Sequence, residues 1–349
     1  MKKIVALLLC LALLAGMSAC SKSDPNAPVA GATVPGEGSG NSGDPAENPG
    51  NVTPERLPNL MVMSGPTGVG AAKLISDWES GSTVLATATV AADNEEVKNA
   101  LINGDADIAA VATNVASALY NKTGGAVQVL AINTLGVLYI LEKGESVQTM
   151  ADLAGKTVYA TGQGANPEYI LNYLLEKSGV DPDAVDIQWM TAQEVIAKMT
   201  TQEEAICMLP VPAATTVMMK DSAIRQAISL TDVWGSVDES MLAQGCIVAR
   251  TDYIKENPQA VANFLLAYEQ SLDYMMSEEN RETAAALVAL YGITANEKIA
   301  AKAIPSCNLT FITGSEMKTV LNAFYQVMFQ ANPASIGGAM PDDSFYYGG

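Results

Sequence analysis

A glycine-rich turn before a helix start is the stretch most suggestive of chemistry. Gly162, Gln163, Gly164, Ala165 and Asn166 follow a β-rich segment, and the proline after them suits a first helical turn because its φ is fixed and it lacks an N–H. The first N–H groups of a helix have no intrahelical partners and lie at the positive end of its dipole. The turn could therefore bind an anionic or oxygen-rich group. The pattern also fits an ordinary strand–helix turn without a ligand.

A second turn, GPTGVG at 65–70, invites a nucleotide interpretation that its flanks exclude. A phosphate-binding P-loop needs Lys and then Ser or Thr directly after the last glycine, but Ala71 and Ala72 stand there. The dinucleotide-binding pattern fails because Lys73 occupies the place of its third glycine. What remains is a turn that presents N–H groups and hydroxyls, with the candidates Ser64, Pro66, Thr67 and Gly68.

Three further segments place polar or rigid residues where strands end. Asn114 follows a predicted strand at 108–111, where it could contact a ligand or act as the N-cap of the next helix. Thr134 and Leu135 lie in a break between two strands, which we interpret as a crossing between lobes. Pro210 and Pro212 form a rigid turn before a predicted helix at 213–220.

Strands and helices must alternate to position these turns. Periodicity predicts strands at 60–63, 83–91, 108–111, 127–132, 137–141, 156–160, 185–189, 205–209 and 245–249. Helices are predicted from about 71 to 78, at 94–103, from 167, at 191–201 and 213–220, and over most of the chain from 252 onward. This order is typical of an α/β protein.

The sequence resembles a known family at several of these places. LAGKTVYATGQGANPEYILNYLLEKSGVDPDAVDI (153–187) is similar to the second-lobe entry of the SsuA/THI5-like (NMT1-like) solute-binding proteins of ABC importers, the nitrate, sulfonate and thiamine-precursor group. ALINGDADIAAVATN (100–114) is similar to that family's third strand–helix unit, and PASIGGAMPDDSFYY (333–347) to its C-terminus. The resemblance extends over about residues 58–340.

The resemblance implies a two-lobe, periplasmic-binding-protein-like (type II) fold, with mixed sheets flanked by helices and an interlobe cleft. We expect lobe one at 58–135 and 245–349 and lobe two at 136–244. It also implies that the turns above contact a solute, that the protein is a monomer, and that a separate permease and ATPase complete the importer. Two alternatives stay open: a receptor lipoprotein without transport, and an enzyme on the same fold.

The N-terminus predicts export and a lipid anchor. Lys2 and Lys3 precede an apolar run at 4–16, and Met-Ser-Ala then precedes Cys20. This resembles a bacterial lipobox, although Met17 stands where leucine is commoner. We expect a signal peptide at 1–19, a lipidated Cys20, and a disordered Gly/Pro/Ser-rich tether at 20–57 that holds the protein on the extracytoplasmic face of the membrane. The alternative is simple signal cleavage that leaves Cys20 as a thiol.

Composition excludes several functions. The chain contains no histidine, which removes Ser-His and Cys-His nucleophile pairs and the commonest zinc ligand. Its formal charge of −19 argues against binding nucleic acid. Cys207, Cys246 and Cys307 each lie in an apolar context, which favours buried thiols. We therefore expect no enzyme activity, cofactor or metal.

The solute class stays open from the sequence. N–H groups and hydroxyls suit a sulfonate or a nitrate-like anion, but no arginine lies in the predicted loops. A thiamine-precursor-like heterocycle is the other possibility. Trp189 or Trp234 could stack on such a ring, although packing in the core or between the lobes is the favoured interpretation of both.

Overall fold

The computed structural model describes residues 55–349, in which eleven strands and thirteen α-helices alternate. The strands are β1 (Asn59–Met63), β2 (Thr87–Ala91), β3 (Ile108–Ala112), β4 (Val127–Thr134), β5 (Leu138–Lys143), β6 (Thr157–Ala160), β7 (Asp186–Trp189), β8 (Ala205–Pro210), β9 (Ile224–Ser229), β10 (Gly245–Arg250) and β11 (Leu309–Ile312). The helices are α1 (Pro66–Val69), α2 (Ala72–Glu79), α3 (Asn94–Asn103), α4 (Thr113–Thr123), α5 (Asn166–Lys177), α6 (Ala192–Thr201), α7 (Ala213–Lys220), α8 (Leu230–Val237), α9 (Thr251–Glu256), α10 (Pro258–Met276), α11 (Arg281–Leu290), α12 (Glu297–Ala303) and α13 (Gly314–Ala331).

The strands form two mixed sheets, one in each lobe. The first-lobe sheet has the order β11-β4-β10-β3-β1-β2, and the second-lobe sheet has the order β7-β6-β8-β5-β9. In the first, β1 lies parallel to β2 and β3, while β10 runs antiparallel between β3 and β4. In the second, β6 lies parallel to β7 and β8, while β5 is antiparallel to β8 and β9. The predicted α/β fold with two mixed sheets is confirmed, while the exact lobe limits stay a prediction.

Two crossings join the lobes, and hydrogen bonds tie them together. The chain passes from β4 to β5 through 135–137 and returns to β10 through 238–244. The Gln244 side-chain oxygen Oε1 accepts from the N–H of Val137 at 2.6 Å, and the Gln244 N–H donates to the Thr134 carbonyl at 3.0 Å. Gln244 in the second crossing therefore bonds both ends of the first, so the two crossings are held side by side.

Most predicted elements are present, and the differences have local causes. The helix predicted at about 71–78 is present as α2, while the predicted turn before it contains the additional short helix α1; Ser271 of α10 bonds the Gly70 carbonyl (2.6 Å) and the Leu74 N–H (3.0 Å) where the two helices meet. Strand β4 continues to Thr134, so the predicted break begins later, and β2 starts at Thr87 rather than at 83. Pro210 is the last residue of β8, where it ends the hydrogen-bond ladder rather than interrupting it.

Four elements were not predicted, namely α1, β9, α8 and β11. Helix α8 begins after Ser229, whose side chain accepts from the Asp232 N–H as an N-cap. Strand β11 is only four residues long and lies between helices, but it pairs with the edge of β4. Helix α1 and strand β11, with four residues each, are too short to show a clear periodicity in the sequence.

The N-terminal end of the described chain is held against the first lobe. Arg56 donates from its two terminal nitrogens to the Asp107 carboxylate, at 2.6 and 2.5 Å, and Asp107 is fully buried. The Glu55 carboxylate accepts from the N–H groups of Gln259 and Ala260 at the start of α10. Residues 55–57, assigned to the tether in the sequence analysis, are therefore part of the folded lobe. Cys20, the predicted signal peptide and the rest of the predicted tether lie outside the described residues.

The three cysteines of the described region are buried thiols. Cys207, Cys246 and Cys307 are unpaired and each has an exposed fraction of 0%. Burial raises the pKa of Cys307 to about 12 and raises the pKa of the other two thiols further. They are consequently unreactive at neutral pH.

Candidate functional site

The interlobe cleft is a cavity of about 500 Å³ lined by both lobes. The carboxyl ends of β1 and β3 reach it from the first lobe, and those of β6 and β8 from the second. This is the position at which α/β proteins usually bind ligands. A cavity of about 660 Å³ lies at the opposite edge of the first sheet, around Arg250, but no second-lobe residue lines it.

The turn before α5 forms part of the second-lobe wall. Gly162 has φ +91°, and a Cβ atom there would lie 2.5 Å from Cγ of Pro167, so the turn packs directly over the proline ring. The Ala165 N–H donates to the Gly162 carbonyl at 3.1 Å. This close packing directs the first turn of α5, including Asn166, at the cavity. The glycine-rich turn is therefore built as the sequence predicts.

The loop after β1 forms the facing wall. The Ser64 N–H bonds the Ala91 carbonyl at 2.9 Å, which fixes the start of the loop. A Cβ atom at Gly68 would lie 2.1 Å from the Met63 carbonyl oxygen, so only glycine allows the chain to turn this tightly. Ser64, Pro66 and Thr67 line the cavity, while Gly68 supports the loop from behind.

Asn133, which was not among the predicted contacts, holds this loop in position. It is fully buried, and its side-chain nitrogen Nδ2 donates to the Thr67 carbonyl (3.0 Å) and to the Tyr268 hydroxyl (2.9 Å). Its Oδ1 accepts from the Thr134 hydroxyl at 3.1 Å. Asn133 therefore connects the loop to β4 and α10. The only sequence signal for this role is an asparagine directly after the predicted strand at 127–132.

The Asn166 side chain of the second lobe bonds to the first lobe and to the second crossing. Its Nδ2 donates to the Thr113 hydroxyl at 3.0 Å and to the Gln244 carbonyl at 3.1 Å. The Thr113 hydroxyl donates in turn to the Ala243 carbonyl at 2.7 Å, and the Tyr325 hydroxyl donates to the Thr113 carbonyl at 2.8 Å. A second-lobe helix is thus fixed to the first lobe at the cavity floor.

Helix α7 contributes one face to the cavity. Ala213, Thr216 and Lys220 line it at helical spacing, after Pro210 and Pro212. Lys220 is the single charged side chain among the lining residues, and it lies at the exposed end of the helix. Among residues 55–349, neither a carboxylate nor an aromatic ring lines the cavity. The walls therefore offer neutral hydrogen-bonding groups, backbone N–H groups and a cation at the rim.

The structure brings together most of the predicted contacts. Those that line the cavity are Ser64, Pro66, Thr67, Thr134, Gly162, Ala165, Asn166, Pro210 and Pro212. Those that do not line it are Gly68, Asn114, Leu135, Gln163 and Gly164.

Asn114 and the two tryptophans need correction. The N-cap of α4 is Ala112, and Asn114 is a buried residue inside the helix, so its predicted N-cap role is wrong. Trp234 is 1% exposed and packs between Tyr173 and Phe324, with ring centroids 5.1 and 5.6 Å apart. Neither Trp234 nor Trp189 lines the cavity, so neither is placed to stack on a solute.

The lining segments that the sequence analysis missed include the start of α3, the start of α6, one face of α7 and the loop between α11 and α12. The Ser64 hydroxyl donates to the Gly292 carbonyl of that loop at 3.4 Å. The missed lining residues with polar side chains are Asn94, Thr161, Gln193, Thr216, Lys220, Gln244 and Thr294.

Residues 55–349 contain no group of three or more potential metal-ligating Cys, Asp or Glu side chains. Over the same range, every helix is too short or too polar to cross a membrane.

Comparison with known proteins identifies the family. The model of the family described as NMT1/THI5 like matches residues 83–282, which is more than half of the chain. The chain belongs to the NMT1/THI5-like family. The family resemblance seen in the sequence is thereby confirmed.

Solved structures of low sequence identity share the fold of this NMT1/THI5-like protein. An ABC transporter structure from Parabacteroides distasonis is 21% identical with a TM-score of 0.70, covering 83% of this chain and 98% of that one. The periplasmic aliphatic sulphonate binding protein SsuA from Escherichia coli is 16% identical with a TM-score of 0.66, covering 81% and 94%. The two-lobe, type II binding-protein fold is therefore confirmed.

A curated relative matches over a shorter stretch. A putative binding protein from Brucella abortus (strain 2308) is 23% identical over 157 residues, covering 45% of this chain and 48% of the relative. The chain thus matches about half the length of the curated relatives. This similarity does not indicate which ligand the protein binds.

Proposed function

We propose that this NMT1/THI5-like protein is an extracytoplasmic solute-binding lipoprotein of an ABC importer. It captures a small molecule in the interlobe cleft, changes the balance between open and closed forms, and delivers the solute to a membrane permease driven by a separate ATPase. The observation that carries the proposal is the cavity of about 500 Å³ between two lobes joined by two crossings, with a helix N-terminus at its wall. The fold it shares with SsuA supports the same role.

The lining of the cleft restricts the solute to neutral or anionic molecules. A cation would lose its hydration in a cavity whose lining includes no carboxylate to compensate it. Sulfonates and nitrate-like anions fit through the N–H groups and Lys220. A thiamine-precursor-like heterocycle fits through neutral hydrogen bonds alone, because no aromatic side chain lines the cavity to stack on it.

Binding is tested by thermal unfolding of the purified full-length chain against sulfonates, nitrate, bicarbonate, pyrimidines, riboflavin and amino acids. A solute at 100 times its dissociation constant stabilises the folded state by about 2.7 kcal/mol, which raises the melting temperature by roughly 4 °C for a protein of this size. The bound solute is recovered unchanged by mass spectrometry if the protein binds rather than transforms it. Turnover of the solute would contradict the proposal, and so would a flat response to every compound.

Anchoring and delivery are tested in cells. Cys20→Ser should move the protein from the membrane fraction to the soluble extracytoplasmic fraction, because the acyl chains attach to that sulfur. Deleting the gene should abolish uptake of the labelled solute, and the full chain should restore it. Normal uptake after deletion would favour a receptor that transports nothing.

A further inference from the structure

The floor of the cleft contains a buried acceptor that no described residue satisfies. Asn166 is 2% exposed and lines the cavity, yet its Oδ1 has no hydrogen-bond donor among residues 55–349. The orientation of this amide is determined by its partners. The Gln244 carbonyl can only accept, so the atom 3.1 Å from it must be Nδ2, and the free atom is the oxygen.

This acceptor lies beside a donor of the same residue. Asn166 is the first residue of the twelve-residue helix α5, so its backbone N–H belongs to the first turn, which has no intrahelical acceptor. Buried carbonyl oxygens nearly always accept a hydrogen bond. One residue at the cavity floor therefore presents an acceptor and a donor together.

A second asparagine, Asn94 at the start of α3, lines the cavity from the first lobe, but no hydrogen bond among the described residues fixes the orientation of its amide. Only Asn166 therefore presents an acceptor whose identity is determined by its partners. An anion that only accepts hydrogen bonds would place an oxygen against the Asn166 Oδ1. Lys220 cannot compensate for this at the floor, because it lies at the exposed end of α7.

We propose that Asn166 selects a solute that donates an N–H or O–H hydrogen bond to its Oδ1, such as an amide, a urea or a hydroxyl compound. Solutes whose polar group only accepts are disfavoured. The inference rests on the proposed function, because it takes the cleft as the solute site. Asn166 is then a specificity-determining residue as well as a link between the lobes.

Matched pairs of probes of similar shape test the preference on the full-length chain. Urea is compared with nitrate, and methanesulfonamide with methanesulfonate, by calorimetry at millimolar concentrations, well below the range in which urea unfolds proteins. The donor-bearing member of each pair should bind roughly tenfold tighter, equivalent to about 1.4 kcal/mol. Equal affinities, the reverse order, or no binding by either donor-bearing probe would overturn the inference.

These outcomes separate the inference from the proposed function. Tight binding of nitrate or methanesulfonate would leave the cleft as a solute site and reject only the donor preference. The proposed function fails on different results, namely solute turnover or a flat response across the wider panel.

Variants separate recognition from a purely structural role. Asn166→Ala removes Oδ1 and should bring the donor-to-acceptor affinity ratio close to one. Thr113→Val removes the hydroxyl that accepts from Asn166 Nδ2 but keeps Oδ1, so it should preserve the ratio even if it lowers stability. Asn166→Ser serves as a second variant. It also removes Oδ1, but the serine hydroxyl can still donate to the Gln244 carbonyl in place of Nδ2. An equal loss of the ratio in the Thr113 and Asn166 variants would show that Asn166 only holds the lobes together.

Discussion

Replacing Asn133 with alanine should destabilise the protein and loosen one wall of the cleft. The substitution removes three hydrogen bonds, to the Thr67 carbonyl, the Tyr268 hydroxyl and the Thr134 hydroxyl. Tyr268 and Thr134 are fully buried, so water cannot replace their lost partner. At roughly 1–1.5 kcal/mol for each stranded buried group, we expect the free energy of unfolding to fall by about 3 kcal/mol. Urea denaturation measures this change.

Tyr268→Phe is the matched control for this prediction. It removes one of the three hydrogen bonds and leaves the bond to Thr67 intact, so we expect a loss of about 1 kcal/mol. Hydrogen exchange followed by mass spectrometry should show faster exchange over residues 64–72 in Asn133→Ala but not in Tyr268→Phe. Similar exchange in both variants would refute the assignment of Asn133 as the residue that positions the loop.

Further predictions concern stability, pH and the glycine turn. Arg56→Ala should lower the free energy of unfolding by about 2–3 kcal/mol, as measured by thermal or urea unfolding. The loss is smaller than for a fully buried pair because Arg56 is half exposed. Adding Asp107→Asn to this variant should recover part of the lost stability. Burial favours a higher pKa for Glu142, but hydrogen bonds from Ser146 and Val147 and the Arg225 guanidinium outweigh it and lower the pKa below 4.5. The stability that Glu142 contributes is therefore complete above pH 4.5 and lost as the pH falls below it, so the difference in unfolding free energy from Glu142→Gln should shrink in acid. Affinity for a non-titrating solute should stay constant from about pH 5.5 to 8, because the chain has no histidine, and a change of more than a few-fold would contradict this. Gly162→Ala should weaken solute binding more than Gly164→Ala in calorimetry, since both have positive φ but only Gly162 meets the Pro167 ring.

The parts of the fold that depend on local chemistry were predictable. The strand–turn–helix unit around Gly162 and Pro167 is present because a positive φ and a fixed φ are properties of those residues themselves. Helices α3 and α7 have the predicted limits, because the residues directly before them, Asp93 as an N-cap and Pro212 in a rigid turn, are local signals. Elements that depend on a distant partner were missed, such as β11, which is stabilised by pairing with β4.

The candidate site shows the same division. Contacts that follow a glycine or proline turn, such as Thr67, Ala165 and Pro212, were found from the sequence and line the cleft. Gly68 allows the tight turn that the sequence predicts, but it lies against the Met63 carbonyl rather than at the cavity. Only the packing of the folded chain determines which way it faces.

The sequence by itself determined the turns, the alternation of strands and helices, and the absence of histidine chemistry, because these follow from residue types and short-range spacing. Only the tertiary structure decided what meets in the cleft. Asn166, Thr113 and Gln244 are far apart in the chain, and hydrogen bonds join them at the floor because the chain crosses twice between two sheets. The cavity, Lys220 at its rim and the unpaired Oδ1 of Asn166 all result from bringing these distant segments together. Short-range sequence patterns do not predict them.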